Sequence, residues 1–172
     1  MSDGLFTNML LREIGADIQS GEHRSSASSA RHAADVRPLP GARELLRYLA
    51  DASIPHAIAT SGRTETARVN IAAFGIDPAR VAVATPDQVK YAKPDPDLFF
   101  TAARLNVPIE SSLVIGDAIW DMLAARRAPA FGVGLLSGGY GQEELERADA
   151  ARVYGDPPIC CGIWMKLALD LE

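Results

Sequence analysis

Two carboxylates four positions apart, Asp117 and Asp121, follow the apolar run Leu113-Val114-Ile115 and a glycine, Gly116. A glycine lets the backbone turn sharply where a strand stops. Asp117 then falls at the strand's carboxyl end, where open α/β sheets place their ligands. Asp121 comes one helical turn later, near an N-terminus that favours negative charge. Two hard oxygen donors in such a crevice suit Mg²⁺, which takes one or two carboxylates plus water and substrate oxygens. Taken alone, the pair is equally well read as an N-capping Asp and a surface Asp of one helix.

Two further groups stand upstream. The segment Ile54-Pro55-His56-Ala57-Ile58-Ala59 reads as a short strand running into Thr60-Ser61-Gly62, with a helix starting near Arg63. Hydroxyls and free backbone N–H groups at a strand-to-helix turn form a phosphate cradle, although plain helix capping is the commoner role for such residues. Lys93 opens Lys93-Pro94-Asp95-Pro96-Asp97-Leu98-Phe99, a helix start with an early proline. Most lysines are solvated. Beside carboxylates and a phosphate, though, the Lys93 ammonium would act as a point charge holding both in register.

The order Thr60, Lys93, Asp117/Asp121 resembles the second, third and fourth motifs of the haloacid dehalogenase-like (HAD) hydrolases. Pro38-Leu39-Pro40-Gly41-Ala42-Arg43-Glu44-Leu45-Leu46 is similar to the lead-in to the second core strand of phosphoglycolate-phosphatase-like members. Phe74-Gly75-Ile76 and Thr85-Pro86-Asp87-Gln88-Val89 resemble the next helix end and loop, and the likeness extends from about Val36 to Tyr154. It implies a three-layer, Rossmann-like α/β core with a parallel sheet, and a Mg²⁺-dependent hydrolase acting on a small phosphorylated metabolite. Phosphoglycolate is the first candidate and sugar phosphates the next. By the same resemblance Thr60, with the backbone of Ser61 and Gly62, binds the transferring phosphate. Lys93 steadies phosphate and nucleophile, Asp117 holds the metal directly, and Asp121 supports it through water or Lys93.

The family's first motif, an apolar strand ending in Asp-x-Asp-Gly-Thr, supplies an aspartyl nucleophile and a general acid/base. This sequence contains no such strand. It opens Met1-Ser2-Asp3-Gly4-Leu5-Phe6, and Leu5, Met9, Leu10 and Ile14 form a helical stripe ending at Gly15. That stripe suits a remnant of the helical cap, and Asp3 is not assigned as nucleophile. Residues 1–35 are thus read as cap remnant and linker, and 36–172 as the core. The resemblance places the absent strand at the sheet centre, between the strands ending at Thr60 and Gly116. Both neighbours would be left with an open edge. The expectations are therefore an amino-terminally truncated phosphatase or, alternatively, a non-catalytic remnant or pseudoenzyme that binds phosphate and metal. A dehalogenase is a weaker third option.

The elements that must position these groups follow from periodicity and punctuation. Helices are predicted at Gly41–Ala52, Glu65–Phe74, Asp97–Leu105, Ile119–Arg126 and Gln142–Arg147, besides the cap helix over Leu5–Ile14. Strands are predicted at His56–Thr60, Val81–Ala84, Ser112–Ile115, Ala130–Val133 and Arg152–Tyr154. Alternation of the two implies a doubly wound parallel sheet. The Ser-rich stretch Ser20–Ser29 and the apolar ending Pro158-Ile159-Cys160-Cys161-Gly162-Ile163-Trp164-Met165 depart from the family's usual wording. A shifted reading frame in both is one hypothesis. A cap linker and a divergent last helix are the other, and sequencing the coding DNA separates them.

Composition bounds the remaining classes. The 172 residues are 48% hydrophobic, ordinary for one globular core. Seventeen Lys and Arg against 22 Asp and Glu give −5, with no basic stripe to meet a nucleic-acid backbone. No apolar run approaches the roughly 20 residues that span a bilayer, and the start lacks a signal peptide's pattern, so the cytoplasm is the default location. Adjacent Cys160 and Cys161 make a poor disulfide. Scattered His23, His32 and His56 show no ligand spacing.

Overall fold

The structure is a computed structural model that describes residues 38–75, 81–106 and 108–155. The cap helix, the Ser-rich stretch, His23, His32, Cys160 and Cys161 lie outside the described residues. Five short strands alternate with helices: β1 (Ala57–Ala59), β2 (Ala82–Ala84), β3 (Leu113–Gly116), β4 (Phe131–Leu135) and β5 (Ala150–Tyr154). The helices are α1 (Ala42–Asp51), α2 (Thr64–Phe74), α3 (Asp97–Asn106), α4 (Ile119–Arg127) and α5 (Gln142–Arg147). None of the described helices is long and apolar enough to cross a membrane.

Every strand pairing is parallel, but the described strands form two pieces. β1 pairs with β2, and β3, β4 and β5 make a second sheet in that order. The strand expected at the centre has no counterpart among the described residues. The inner edges of β1 and β3 face a cavity of about 640 Å³, flanked by α1 and α3.

α3 ties the two pieces together. Its Leu98 and Ala102 pack on Ala84, Ala57 and Ala59, while Phe99, one position on, packs with Val114, Ala124, Ala125 and Ala128. On the far side Met122 of α4 meets Leu145 and Ala148. Leu98, Met122, Leu145 and Val133 are fully buried. Each such side chain contributes about 1.5–3 kcal/mol of transfer free energy.

Every element predicted within the described residues is present, with ends moved by one or two residues, the usual scatter of helix and strand ends. The largest difference is β4, predicted as Ala130–Val133 and found as Phe131–Leu135. Gly134, one residue beyond the predicted strand, is a paired strand residue standing opposite Val153. A Cβ there would lie 3.1 Å from Leu145 Cδ1, so a small residue lets α5 close on the sheet. Short 3₁₀ turns at Pro86–Gln88, Ile109–Ser111 and Leu136–Gly138 carry no periodic signal and are additions from the structure.

Candidate active site

At the carboxyl ends of β1 and β3 the chain folds into three loops that converge on Lys93. The Lys93 ammonium lies 2.7 Å from Asp121 Oδ1 and donates to the carbonyl oxygen of Ala59 at 3.0 Å. It also sits 5.5 Å from the centre of the Phe99 ring. Only 12% of the lysine side chain and 11% of the aspartate side chain are exposed, so this is a largely desolvated pair. In that setting the attraction is strong and the loss of either partner is costly. The lysine thereby joins the two halves of the sheet just where the loops end.

Asp121 is committed on both oxygens, because Oδ2 accepts the Ala118 N–H at 3.2 Å. It can reach this position only because residue 116 is glycine. A Cβ at Gly116 would lie 2.5 Å from both Cβ and Oδ2 of Asp121. Gly138 does the same for Asp117, since a Cβ there would overlap the Asp117 carbonyl. A strand-ending glycine and a loop glycine thus bring two acidic positions close to the rest of the site.

Asp117 is half-buried and differs from Asp121 in its electrostatics. Burial is the larger reason that its carboxyl titrates above the ordinary carboxylate range, and the neighbouring charge of Asp121 adds to it. Lys93 offsets part of this. Two carboxylates against one ammonium leave a formal −2 + 1 = −1 at the loop ends, a surplus that a cation would compensate. Among the described residues there is no cluster of three or more His, Cys, Asp or Glu. The donor set is thus carboxylate oxygen, few in number, which is the set Mg²⁺ tolerates and Zn²⁺ sites do not usually show. Asp121 already meets Lys93 and the Ala118 N–H with one oxygen each, whereas the Asp117 carboxylate has no such partner among the described residues.

Thr60, Ser61 and Gly62 form the turn after β1. The Thr60 N–H is spent on the Ala84 carbonyl of β2, and the Gly62 N–H donates to Thr60 Oγ1 at 3.0 Å. A hydroxyl that accepts one bond keeps its own O–H to donate. Ser61 Oγ is buried with no hydrogen-bond partner, and a buried polar atom of this kind asks for an explanation. Lys93 connects to the turn through Ala59 O. The structure therefore gathers Lys93, Asp117 and Asp121 in one place and brings the Thr60 turn to its edge through the backbone.

Two supports lie outside the motif residues. Asp87 Oδ2 accepts from both Thr64 N (3.2 Å) and Thr64 Oγ1 (2.5 Å), capping α2 directly after the Thr60 turn. Those bonds hold its carboxyl below the usual range. At the other end of α4, Arg127 Nη1 donates to the Pro94 carbonyl at 2.9 Å, fixing the chain one residue after Lys93. Neither is visible as a sequence pattern, because each joins residues more than 20 positions apart.

A haloacid dehalogenase-like hydrolase profile matches residues 20–129, well over half the sequence. The chain belongs to the haloacid dehalogenase-like hydrolases. Among curated proteins it is 36% identical over 110 residues to a validoxylamine A 7'-phosphate phosphatase of Streptomyces hygroscopicus subsp. limoneus, covering 63% of this chain and 51% of the relative. It is 35% identical over 123 residues to hexitol phosphatase A of Escherichia coli strain K12, covering 72% and 51%. The crystal structure of a hydrolase from Pseudomonas syringae superimposes with a TM-score of 0.86 at 45% identity, covering 97% of this chain and 79% of that one. The fold is thus the family's Rossmann-like α/β core. This HAD chain spans about half the length of the curated relatives it matches.

Proposed function

We propose that this chain carries the phosphate- and Mg²⁺-binding part of a HAD hydrolase of small phosphate monoesters. The observation that carries the reading is Lys93, desolvated and bonded at once to Asp121 on α4 and to Ala59 at the mouth of the Thr60 turn. That arrangement supports a phosphoryl group lying between the Thr60 turn and Asp117. The Thr60 hydroxyl and the Ser61 side chain and backbone donate to its oxygens, and Lys93 faces them with its charge. Asp117 would hold Mg²⁺, with Asp121 keeping Lys93 in place. When bound, the ion supplies charge neutralisation of phosphoryl oxygens, where most phosphoryl-transfer catalysis lies.

Two curated relatives are named for validoxylamine A 7'-phosphate and for hexitol phosphates. A third, 30% identical over 105 residues, is named phosphoglycolate phosphatase, so the proposed substrate class takes in sugar-type phosphates and phosphoglycolate alike. The alternative reading is a polypeptide that binds phosphate and metal at these loop ends without turning substrate over. A phosphatase assay with a sugar phosphate, with and without Mg²⁺, separates the two. Mg²⁺-dependent turnover that Asp117→Asn abolishes establishes catalysis. Phosphate binding without turnover establishes the non-catalytic reading. Absence of both removes the proposed site.

A further inference from the structure

The Thr60 turn is held at both ends by one short segment of chain. At its start the Thr60 N–H donates to the Ala84 carbonyl at 3.0 Å, continuing the β1–β2 ladder. At its end Thr64, the first residue of α2, meets the loop that follows β2. Thr64 N and Thr64 Oγ1 both donate to Asp87 Oδ2, at 3.2 and 2.5 Å. Thr64 Oγ1 also lies 3.1 Å from Thr85 Oγ1. Residues 60–64 are thus fastened front and back to residues 84–87. The hydroxyls in this row have a set direction. The Asp87 carboxyl titrates below the ordinary range, chiefly because the Thr64 hydroxyl donates to it, so it is ionised at neutral pH. An ionised carboxylate only accepts, and the single Thr64 hydroxyl proton therefore points at Asp87. The contact with Thr85 then has Thr85 O–H donating to Thr64 Oγ1. Thr85 is buried, and its N–H donates to Gln88 Oε1 at 2.9 Å. The row runs from an anchored interior end to a charged end at the surface.

We infer that Thr85, Thr64 and Asp87 are positioning residues for phosphate: their row of hydrogen bonds sets where Thr60, Ser61 and Gly62 present their donors. None of the three touches the phosphate itself. The inference deepens the phosphate reading of the Thr60 turn and rests on it. Two observations separate positioning from plain capping. A cap needs only an acceptor for an N–H at the helix start, and Asp87 supplies that by itself. The Thr64–Thr85 bond adds nothing to the cap; it ties the start of α2 to the exit of β2. The second observation is the turn's own bonding. Its Gly62 N–H donates back to Thr60 Oγ1, while Ser61 Oγ is buried with no hydrogen-bond partner. A turn that keeps donors for a ligand must be held in shape by groups outside it. Hydrogen bonds weaken steeply once distance and angle depart from the preferred range. A small shift of α2 against the β2 loop would therefore be felt as lost phosphate affinity.

The test is titration of inorganic phosphate into the full chain and into Thr85→Val, Thr85→Ser and Asp87→Ala, followed by calorimetry and by amide NMR. Valine keeps the shape of threonine and removes the hydroxyl, and serine gives the hydroxyl back. Phosphate affinity should fall roughly three- to tenfold in Thr85→Val and Asp87→Ala, the span of one ordinary hydrogen bond. Thr85→Ser should stay close to the parent. The Ser61 and Gly62 amide signals of Thr85→Val should already differ from the parent's before phosphate is added. Where Thr85→Val does not fold, Asp87→Ala against Asp87→Asn makes the same comparison, since the amide oxygen still accepts. A lowered melting temperature with unchanged phosphate affinity and unchanged Ser61 and Gly62 signals overturns the inference and leaves a structural cap. An equal loss in Thr85→Ser and Thr85→Val overturns it too, because the hydroxyl is then not responsible. A parent that binds no phosphate removes the phosphate reading and this inference together. That result is distinct from a parent and variants that all bind equally well, which overturns the inference alone.

Discussion

Lys93 and Asp121 are the residues on which the site rests, and each can be tested singly. Replacing Lys93 by Met leaves the Asp121 carboxylate desolvated without its cation. Loss of one partner of a buried pair costs about 3–5 kcal/mol, and the slight exposure here places the expectation toward the lower end. Chemical denaturation of Lys93→Met should show that loss, and calorimetry should show weakened phosphate binding. Asp117→Asn should do the opposite to stability. Its carboxyl is raised by burial and by Asp121, so the folded state binds its proton more tightly than the unfolded chain does. Ionisation therefore costs stability as pH rises from the ordinary carboxylate value to the raised one. The neutral amide removes that cost, and the metal-free variant should melt higher at neutral pH while losing Mg²⁺ binding. A lower melting temperature would mean that Asp117 makes a structural bond the geometry does not show. The chemistry of these residues was readable in the sequence from their types and order. The link of Asp121 to Lys93 was implied by the resemblance, while the bond of its Oδ2 to the Ala118 N–H was not.

Elements decide whether the residues meet, and here small features dominate. Gly116→Ala would drive a methyl group into Asp121, an overpacking that costs about 1–3 kcal/mol. Calorimetric melting should show the loss together with weaker phosphate binding, since Asp121 must move. Asp87 belongs to this scale as well. Removing an N-terminal cap costs about 0.5–2 kcal/mol, so Asp87→Ala should destabilise the chain by that order and loosen the Thr60 turn. Its carboxyl is lowered in the fold, chiefly by the Thr64 hydroxyl and then by the Thr64 N–H. Its stabilisation is thus present above the ordinary carboxylate range and lost as pH falls through the lowered value. Acid unfolding of Asp87→Asn should be flatter than that of the parent over that interval. Helix and strand types were legible from periodicity, and Gly75 and Pro96 marked ends. The strand was predicted to stop short of Gly134, because that glycine's smallness answers a packing demand from Leu145 that no local pattern contains.

At the scale of the molecule, the parallel α/β architecture was legible from alternating elements and from the order of three motifs. That no described strand stands between β1 and β3 could be anticipated only by comparing that order with what the family's first motif implies. α3 holds the two pieces of sheet together through Leu98 and Phe99, and Lys93 adds a polar tie at the loop ends. The central claim is that these ends form one phosphate and Mg²⁺ site. Isothermal titration of inorganic phosphate into the chain, with and without Mg²⁺, tests it most directly. The account predicts phosphate binding that strengthens with Mg²⁺, keeps its metal-independent part in Asp117→Asn, and is lost in Lys93→Met. Phosphate binding indifferent to Mg²⁺ and to both substitutions, or no binding at all, would contradict it.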